Sequence, residues 1–206
     1  MAIKNIIFDL GGVVLNLDQQ KTIRAFKKLG AELDQLNENS SLFTDFETGK
    51  IDANFFVDTL HTHLKGTASK EAIIHAWNSM LLELPSERVE LIKTLKKDYQ
   101  LILLSNTNSI HIDAVYQEHG KEVFENLFSK IFLSHEIGLR KPSVECYKHV
   151  LAAAEIKGEE SIFIDDMPEN IKGAGLAGIH TIWAKTPVDI WFLEELNKLQ
   201  VVLAIN

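Results

Sequence analysis

Five short stretches of the chain are apolar with little alternation: Ile3–Asp9, Leu101–Ser105, Lys130–Ser134, Ser161–Asp165 and Ile179–Ala184. Each is rich in Ile, Leu, Phe or Val, the pattern of strands covered on both faces, as in parallel sheets. Between the later stretches the apolar spacing becomes helical. Ser86–Asp98 carries Val89, Leu91, Ile92 and Leu95 at that spacing, and Ser109–His119 follows the same logic. Ser143–Glu155 comes after Lys141-Pro142, with Ser143 placed to cap it. Strand–helix alternation predicts an α/β fold: a Rossmann-like, doubly wound parallel sheet.

Residues 16–84 break the alternation. Thr22–Leu29, Leu42–Glu47, Asp52–Leu64 and Ser69–Leu82 all read as helices, with Asp52 and Ser69 as caps. Ile51, Phe55, Phe56 and Leu60 make one apolar stripe, and Ile73, Ile74, Trp77 and Met80 another. About 70 helical residues are more than a crossover between parallel strands needs. The expected organisation is an α/β core of residues 1–15 and 85–206, with an α-helical cap, 16–84, inserted after the first strand.

Composition narrows the class. The chain has 206 residues, 46% of them hydrophobic, enough for a substantial core. A formal charge of −8 gives no general attraction to nucleic acid or to an anionic membrane. The opening MAIKNIIFDL has too short an apolar run for a signal peptide, and no stretch is long enough to span a bilayer. Cys146 is the only cysteine, so no intramolecular disulfide can form and a reducing compartment is expected. The expected location is the cytoplasm, and Asn39-Ser40-Ser41, which matches a glycosylation site, reads as chance. Neither nucleic acid nor membrane is an expected partner.

Ligands of open parallel sheets bind beyond the carboxyl ends of the strands. There the sequence sets Asp9 after the first strand, Ser105-Asn106-Thr107 after the second and Asp165-Asp166 after the fourth. Gly138-Leu139-Arg140-Lys141-Pro142 lies between the third and the fourth. An Asp after a strand is, taken singly, a turn or cap residue. The ordered set is what points to chemistry. Two unit charges about 4 Å apart repel by about 4 kcal/mol at an effective dielectric near 20. A hard divalent cation removes that penalty, and Mg²⁺ with one or two carboxylates plus substrate oxygens is the usual solution. A cation, a lysine and a hydroxyl facing a carboxylate suit phosphoryl transfer onto that carboxylate.

Four segments in this order, IIFDLGGV at 6–13, LLSNTN at 103–108, GLRKP at 138–142 and FIDDMPENI at 163–171, resemble the haloacid dehalogenase superfamily. The resemblance is to its phosphatases with a helical cap after the first strand, and to their bacterial sugar-1-phosphate branch. It implies Mg²⁺-dependent hydrolysis of a small phosphate monoester, a sugar phosphate by expectation, through an aspartyl-phosphate. Asp9 would be the nucleophile and a metal ligand, the Gly11 carbonyl a second ligand and Asp166 a third. Asp165 would act beside Asp166, through water or by orienting Lys141. Ser105 and the Asn106 backbone N–H would hold the phosphate, Lys141 would neutralise it, and Asn170 would brace the acidic loop. Residues 16–84 would cover the site and select the substrate, with residues around Phe43, Phe46 and Glu47 as candidates to touch it.

One position departs from the pattern. Such phosphatases usually carry Asp two residues after the nucleophile as general acid, and here Gly11 stands there. Glycine keeps a carbonyl for the metal but offers no proton, a loss of roughly a hundred- to ten-thousand-fold in rate. The favoured reading is a working phosphatase that uses water, substrate or a nearby side chain. Asp18 reads first as a helix cap and second as a stand-in. The alternatives are a weakened relative that binds a phosphorylated ligand or a protein, and a metal-independent 2-haloacid dehalogenase. The pair Asp165-Asp166 argues against the latter.

Overall fold

The structure, a computed structural model of the chain, describes residues 2–31, 41–187 and 189–205. Asn39 and Ser40 of the glycosylation-like triplet lie outside them. Five strands, β1 (Asn5–Phe8), β2 (Gln100–Ser105), β3 (Lys130–Leu133), β4 (Ser161–Asp165) and β5 (His180–Trp183), form one parallel sheet in the order β3-β2-β1-β4-β5. Phe8 is level with Leu103 on one side and Ile164 on the other. That register brings Asp9, Ser105 and Asp165 out at one edge, where the chain's winding changes direction between β1 and β4. β1 and β4 are buried along their whole length, as their unbroken apolar sequences require.

The helices are α1 (Gln19–Leu29), α2 (Leu42–Glu47), α3 (Ala53–His63), α4 (Lys70–Asn78), α5 (Ser86–Leu95), α6 (Ser109–His119), α7 (Lys121–Leu127), α8 (Ser134–Ile137), α9 (Val144–Ala154), α10 (Pro168–Leu176) and α11 (Ile190–Ile205). Both faces of the sheet are covered. Ile6, Phe8, Leu103 and Ile164 pack with Ile92, Val115, Phe124 and Phe192 of α5, α6, α7 and α11. Ile7, Leu104 and Phe163 pack on the other face with Tyr147 and Val150 of α9 and Ala174 of α10.

Helices α1–α4 share a separate apolar cluster built on Phe26, Phe46, Phe56, Leu60, Ile73 and Trp77, which meets Ile110 of α6. Local chemistry starts these helices. Asp18 accepts from Gln20 N at 3.0 Å, Asp52 from Phe55 N at 2.7 Å and Ser69 from Ala72 N at 3.2 Å. Phe55 and Ile74, expected in the apolar stripes, are instead exposed. Phe56, Val57 and Leu60 share the buried face of α3, as Ile73, Ala76 and Trp77 do on α4. Ser143 stands at the N-cap of α9, but its hydroxyl turns to Glu145 Oε2 at 2.8 Å.

Helix α4 stops at Asn78, short of the expected Leu82, because the two connections between the sheet and α1–α4 pair with each other. Leu17 bridges Leu81, Asp18 N donates to Met80 O at 2.9 Å and Leu82 N to Asn16 O at 3.1 Å. Arg88 ties this ribbon to α5 by donating to Val14 O at 2.7 Å and Asn16 Oδ1 at 3.0 Å. Among the described residues no helix is long and apolar enough to cross a membrane.

Candidate active site

The strand ends deliver their polar residues to one place around a buried lysine. Lys141 Nζ donates to Asp9 Oδ1 at 2.6 Å, Asp165 Oδ2 at 2.7 Å and Leu104 O at 3.1 Å. Three acceptors satisfy its three protons. The lysine is itself positioned from β2: Lys141 N donates to Asn106 Oδ1 and Asn106 Nδ2 to Lys141 O, both at 2.9 Å. The Asn106 side chain thus clamps the Lys141 backbone, a function its sequence position alone does not announce.

Asp165 is committed to structure. Asn170 Nδ2 reaches both of its oxygens at 3.0 Å, Met167 N donates to Oδ1 at 2.8 Å, and Lys141 takes Oδ2. Asp165 thus touches Lys141 directly, the contact that orienting the lysine requires, and Asn170 bonds it from the following helix. Carboxylate oxygens of Asp9, Asp165 and Asp166 lie within 4.8 Å of one another. Gly12 lets the β1 loop approach them. Its φ is +78°, and a Cβ there would meet Asp166 Oδ2 at 2.4 Å.

The charges do not balance locally. Burial pushes the Asp9 carboxyl up to about 7; Lys141 opposes the shift, while Asp165 and Asp166 add to it. Burial, then Asp165, raises the half-buried Asp166 as well. For Lys141 burial works against the ammonium, but Asp9 and Asp165 outweigh it and the net shift is upward. Three carboxylates face one lysine, so the group has room for a further cation.

A cavity of about 290 Å³ opens above this edge. Asp9, Gly11, Ser105, Asn106, Lys141 and Asp166 line it from the sheet side. Leu17, Gln19, Glu47, Trp77 and Met80 line it from the connections and α1–α4, and His111 and Arg140 complete the wall. The expected residues of the sheet edge other than Asp165 therefore border one space, and Asp165 bonds Lys141 from outside it.

Several wall residues escape a reading of motifs. Arg140 pairs with Glu47 across the cavity mouth at 2.9 Å. The Trp77 ring stacks on His111 with centroids 5.0 Å apart, and Trp77 Nε1 donates to Asn108 Oδ1 at 3.4 Å. His111 Nε2 lies 3.1 Å from Trp77 O and Nδ1 lies 3.2 Å from Asn108 Nδ2; burial lowers this imidazole to about 4 and keeps it neutral. Phe43 stacks on Trp77 and Phe46 on Phe56, so these two support the helical layer while Glu47 meets the cavity. Asp18 caps α1 and pairs with Arg24 at 3.2 Å.

A buried lysine is clamped between carboxylates at the edge of a doubly wound sheet, and the chain belongs to the haloacid dehalogenase-like hydrolases. The family's sequence model matches residues 3–178. A curated relative, the D-ribitol-5-phosphate phosphatase of Bacteroides thetaiotaomicron, is 30% identical over 91% of this chain and 94% of its own. A sesquiterpene phosphatase of Aspergillus oryzae is 29% identical over 86% and 89%. A haloacid dehalogenase family enzyme of Bacteroides thetaiotaomicron, crystallised with magnesium and inorganic phosphate, superposes with a TM-score of 0.85 at 35% identity, covering 93% of this chain and 99% of that one.

Proposed function

We propose that this protein is a Mg²⁺-dependent phosphatase that hydrolyses a small sugar or polyol phosphate through an aspartyl-phosphate on Asp9. The observation that carries the reading is the cluster itself: Lys141 within 2.7 Å of two carboxylates, and Asp166 completing a triad of oxygens within 4.8 Å. Asp9, the Gly11 carbonyl and Asp166 would hold Mg²⁺, since Asp165 is spent on Lys141, Asn170 and Met167 N. When bound, the ion would neutralise the carboxylates and the phosphate oxygens. Lys141, the Ser105 hydroxyl and the Asn106 backbone N–H hold the phosphate in this reading. Asp9 attacks phosphorus, and water then releases phosphate from it.

Residues 16–84 act as the cap that closes the cavity and selects the substrate. The polar wall of Gln19, Glu47 and Arg140 favours a ligand with hydroxyl groups, as does likeness to a polyol phosphate phosphatase. The likeness to a sesquiterpene phosphatase makes an apolar ester the sharpest control. The purified protein should turn over members of a sugar and polyol phosphate panel that includes D-ribitol 5-phosphate, with turnover lost on removal of Mg²⁺. Binding without turnover across the panel would instead favour the weakened-relative reading that Gly11 invites.

A further inference from the structure

An alkyl phosphate releases an oxygen that needs a proton, and a positioned acid is worth roughly 100- to 10,000-fold in rate. The loop after Asp9 supplies none. Gly11 has no side chain, and a Cβ there would lie 2.4 Å from Leu17 Cδ1, so a leucine fills that space. Six ionisable side chains among the described residues line the cavity: Asp9, Glu47, His111, Arg140, Lys141 and Asp166. Lys141 is locked by its three acceptors. Asp9 and Asp166 are taken as nucleophile and metal ligand. Both ring nitrogens of His111 are engaged and it stays neutral. Arg140 does not give up its proton.

Glu47 remains. It is the last residue of α2, on the helical side of the cavity, with its side chain 27% exposed and Arg140 at 2.9 Å. Its position is fixed from below, because the loop after α2 lies so close to α8 that a Cβ on Gly49 would stand 2.1 Å from the His135 carbonyl oxygen. Burial raises the Glu47 carboxyl above its ordinary value, against the opposing pull of Arg140 and Lys141. An arriving phosphate dianion pushes it further in the same direction and competes for Arg140.

We propose that Glu47, reaching in from the helical layer, is the acid that protonates the leaving-group oxygen and the base that then activates water. The proposal rests on the phosphatase reading. In the first step a carboxylate oxygen of Asp9 bonds to phosphorus, the ester P–O bond breaks onto the leaving oxygen, and that oxygen takes the Glu47 proton. In the second, Glu47 takes a proton from water, the water oxygen bonds to phosphorus, and the bond to Asp9 breaks to regenerate both carboxyl groups. The sum is ester plus water giving alcohol plus phosphate.

The test compares kcat/KM, with Mg²⁺ present, for p-nitrophenyl phosphate, whose leaving group needs no proton, and for the best alkyl phosphate of the panel. E47Q is expected to raise the aryl-over-alkyl preference by roughly 100-fold or more. Equal loss on both esters, or no change in the preference, overturns the role. E47D keeps an acid at the site and should hold the preference within about tenfold of wild type; a hundredfold shift there also overturns it. A wild-type protein inert on both esters would sink the phosphatase reading first, and this proposal with it.

Discussion

The sheet edge and the helical layer build the two halves of one cavity by opposite means. The edge is dense in charge and over-bonded. Lys141 is 1% exposed and has three acceptors, and Asp165 is fully buried and held by Asn170, Met167 N and Lys141. The layer is dense in aromatic rings, Phe43, Phe46, Phe56 and Trp77, and sends only a few polar groups toward the edge. Under the proposed function the difference is a division of labour: chemistry needs oxygens and a cation fixed to fractions of an ångström, while selection needs a wall that can vary without disturbing them.

The sharpest way to break this comparison is at the nucleophile. Asp9→Asn should lower turnover by roughly 10⁴-fold or more while leaving the fold intact. Normal steady-state rates in that variant would remove Asp9 from the proposed role. Next in size is Lys141→Met, which strands the buried Asp165 carboxylate. Denaturant unfolding should show a loss of about 3–5 kcal/mol, as when one partner of a buried pair is removed. The partly exposed Glu47–Arg140 pair provides the contrast: Arg140→Ala should cost no more than about 1 kcal/mol in the same measurement. Comparable losses at the two sites would erase the distinction between edge and layer.

Much of the edge was legible in the sequence and little of the layer's contribution was. Asp9, Ser105 and the pair Asp165-Asp166 stand where apolar strands stop, and the pairing of those strands brings them together, whereas Lys141 comes from the loop after α8. Asp165 shows the limit. Its neighbours in sequence do not reveal that it meets a lysine, and its contacts with Lys141, Asn170 and Met167 N appear only in the fold. In the layer, an apolar stripe looks the same whichever way it turns. The stripe pattern places Phe55 and Ile74 inward, yet both are exposed, while Trp77 stacks on His111 in the cavity wall. Nothing in the spacing of Gly11 and Leu17 signals that the second fills the space beside the first.

That last contact yields a smaller prediction. Gly11→Asp must push the tip of Leu17 aside, and because that is the far end of a flexible side chain the cost should stay at the low end of overpacking, about 1 kcal/mol. Adding Leu17→Ala should recover stability relative to the single variant and raise its turnover of alkyl phosphates. Equal melting temperatures for the single and double variants would show that Leu17 yields without cost.

The last expected effect is on pH. Burial raises Asp9 from 3.8 to about 7, so the folded state holds this proton more tightly than the unfolded chain does. The stability tied to it is present below the unfolded value and is lost as pH rises through about 7. Without Mg²⁺ the melting temperature should therefore fall across that window, less steeply in Asp9→Asn. Mg²⁺ should stabilise the protein more above the window than below it, and a metal effect independent of pH would count against Asp9 as a ligand.

The most direct test of the central proposal is a crystal structure of the protein grown with Mg²⁺ and beryllium trifluoride, a mimic of the transferred phosphoryl group. The account predicts beryllium bonded to a carboxylate oxygen of Asp9, fluorines facing Lys141, Ser105 and the Asn106 N–H, and the metal against Asp9, the Gly11 carbonyl and Asp166. A mimic bound away from Asp9, or a metal held without Asp166, would contradict it.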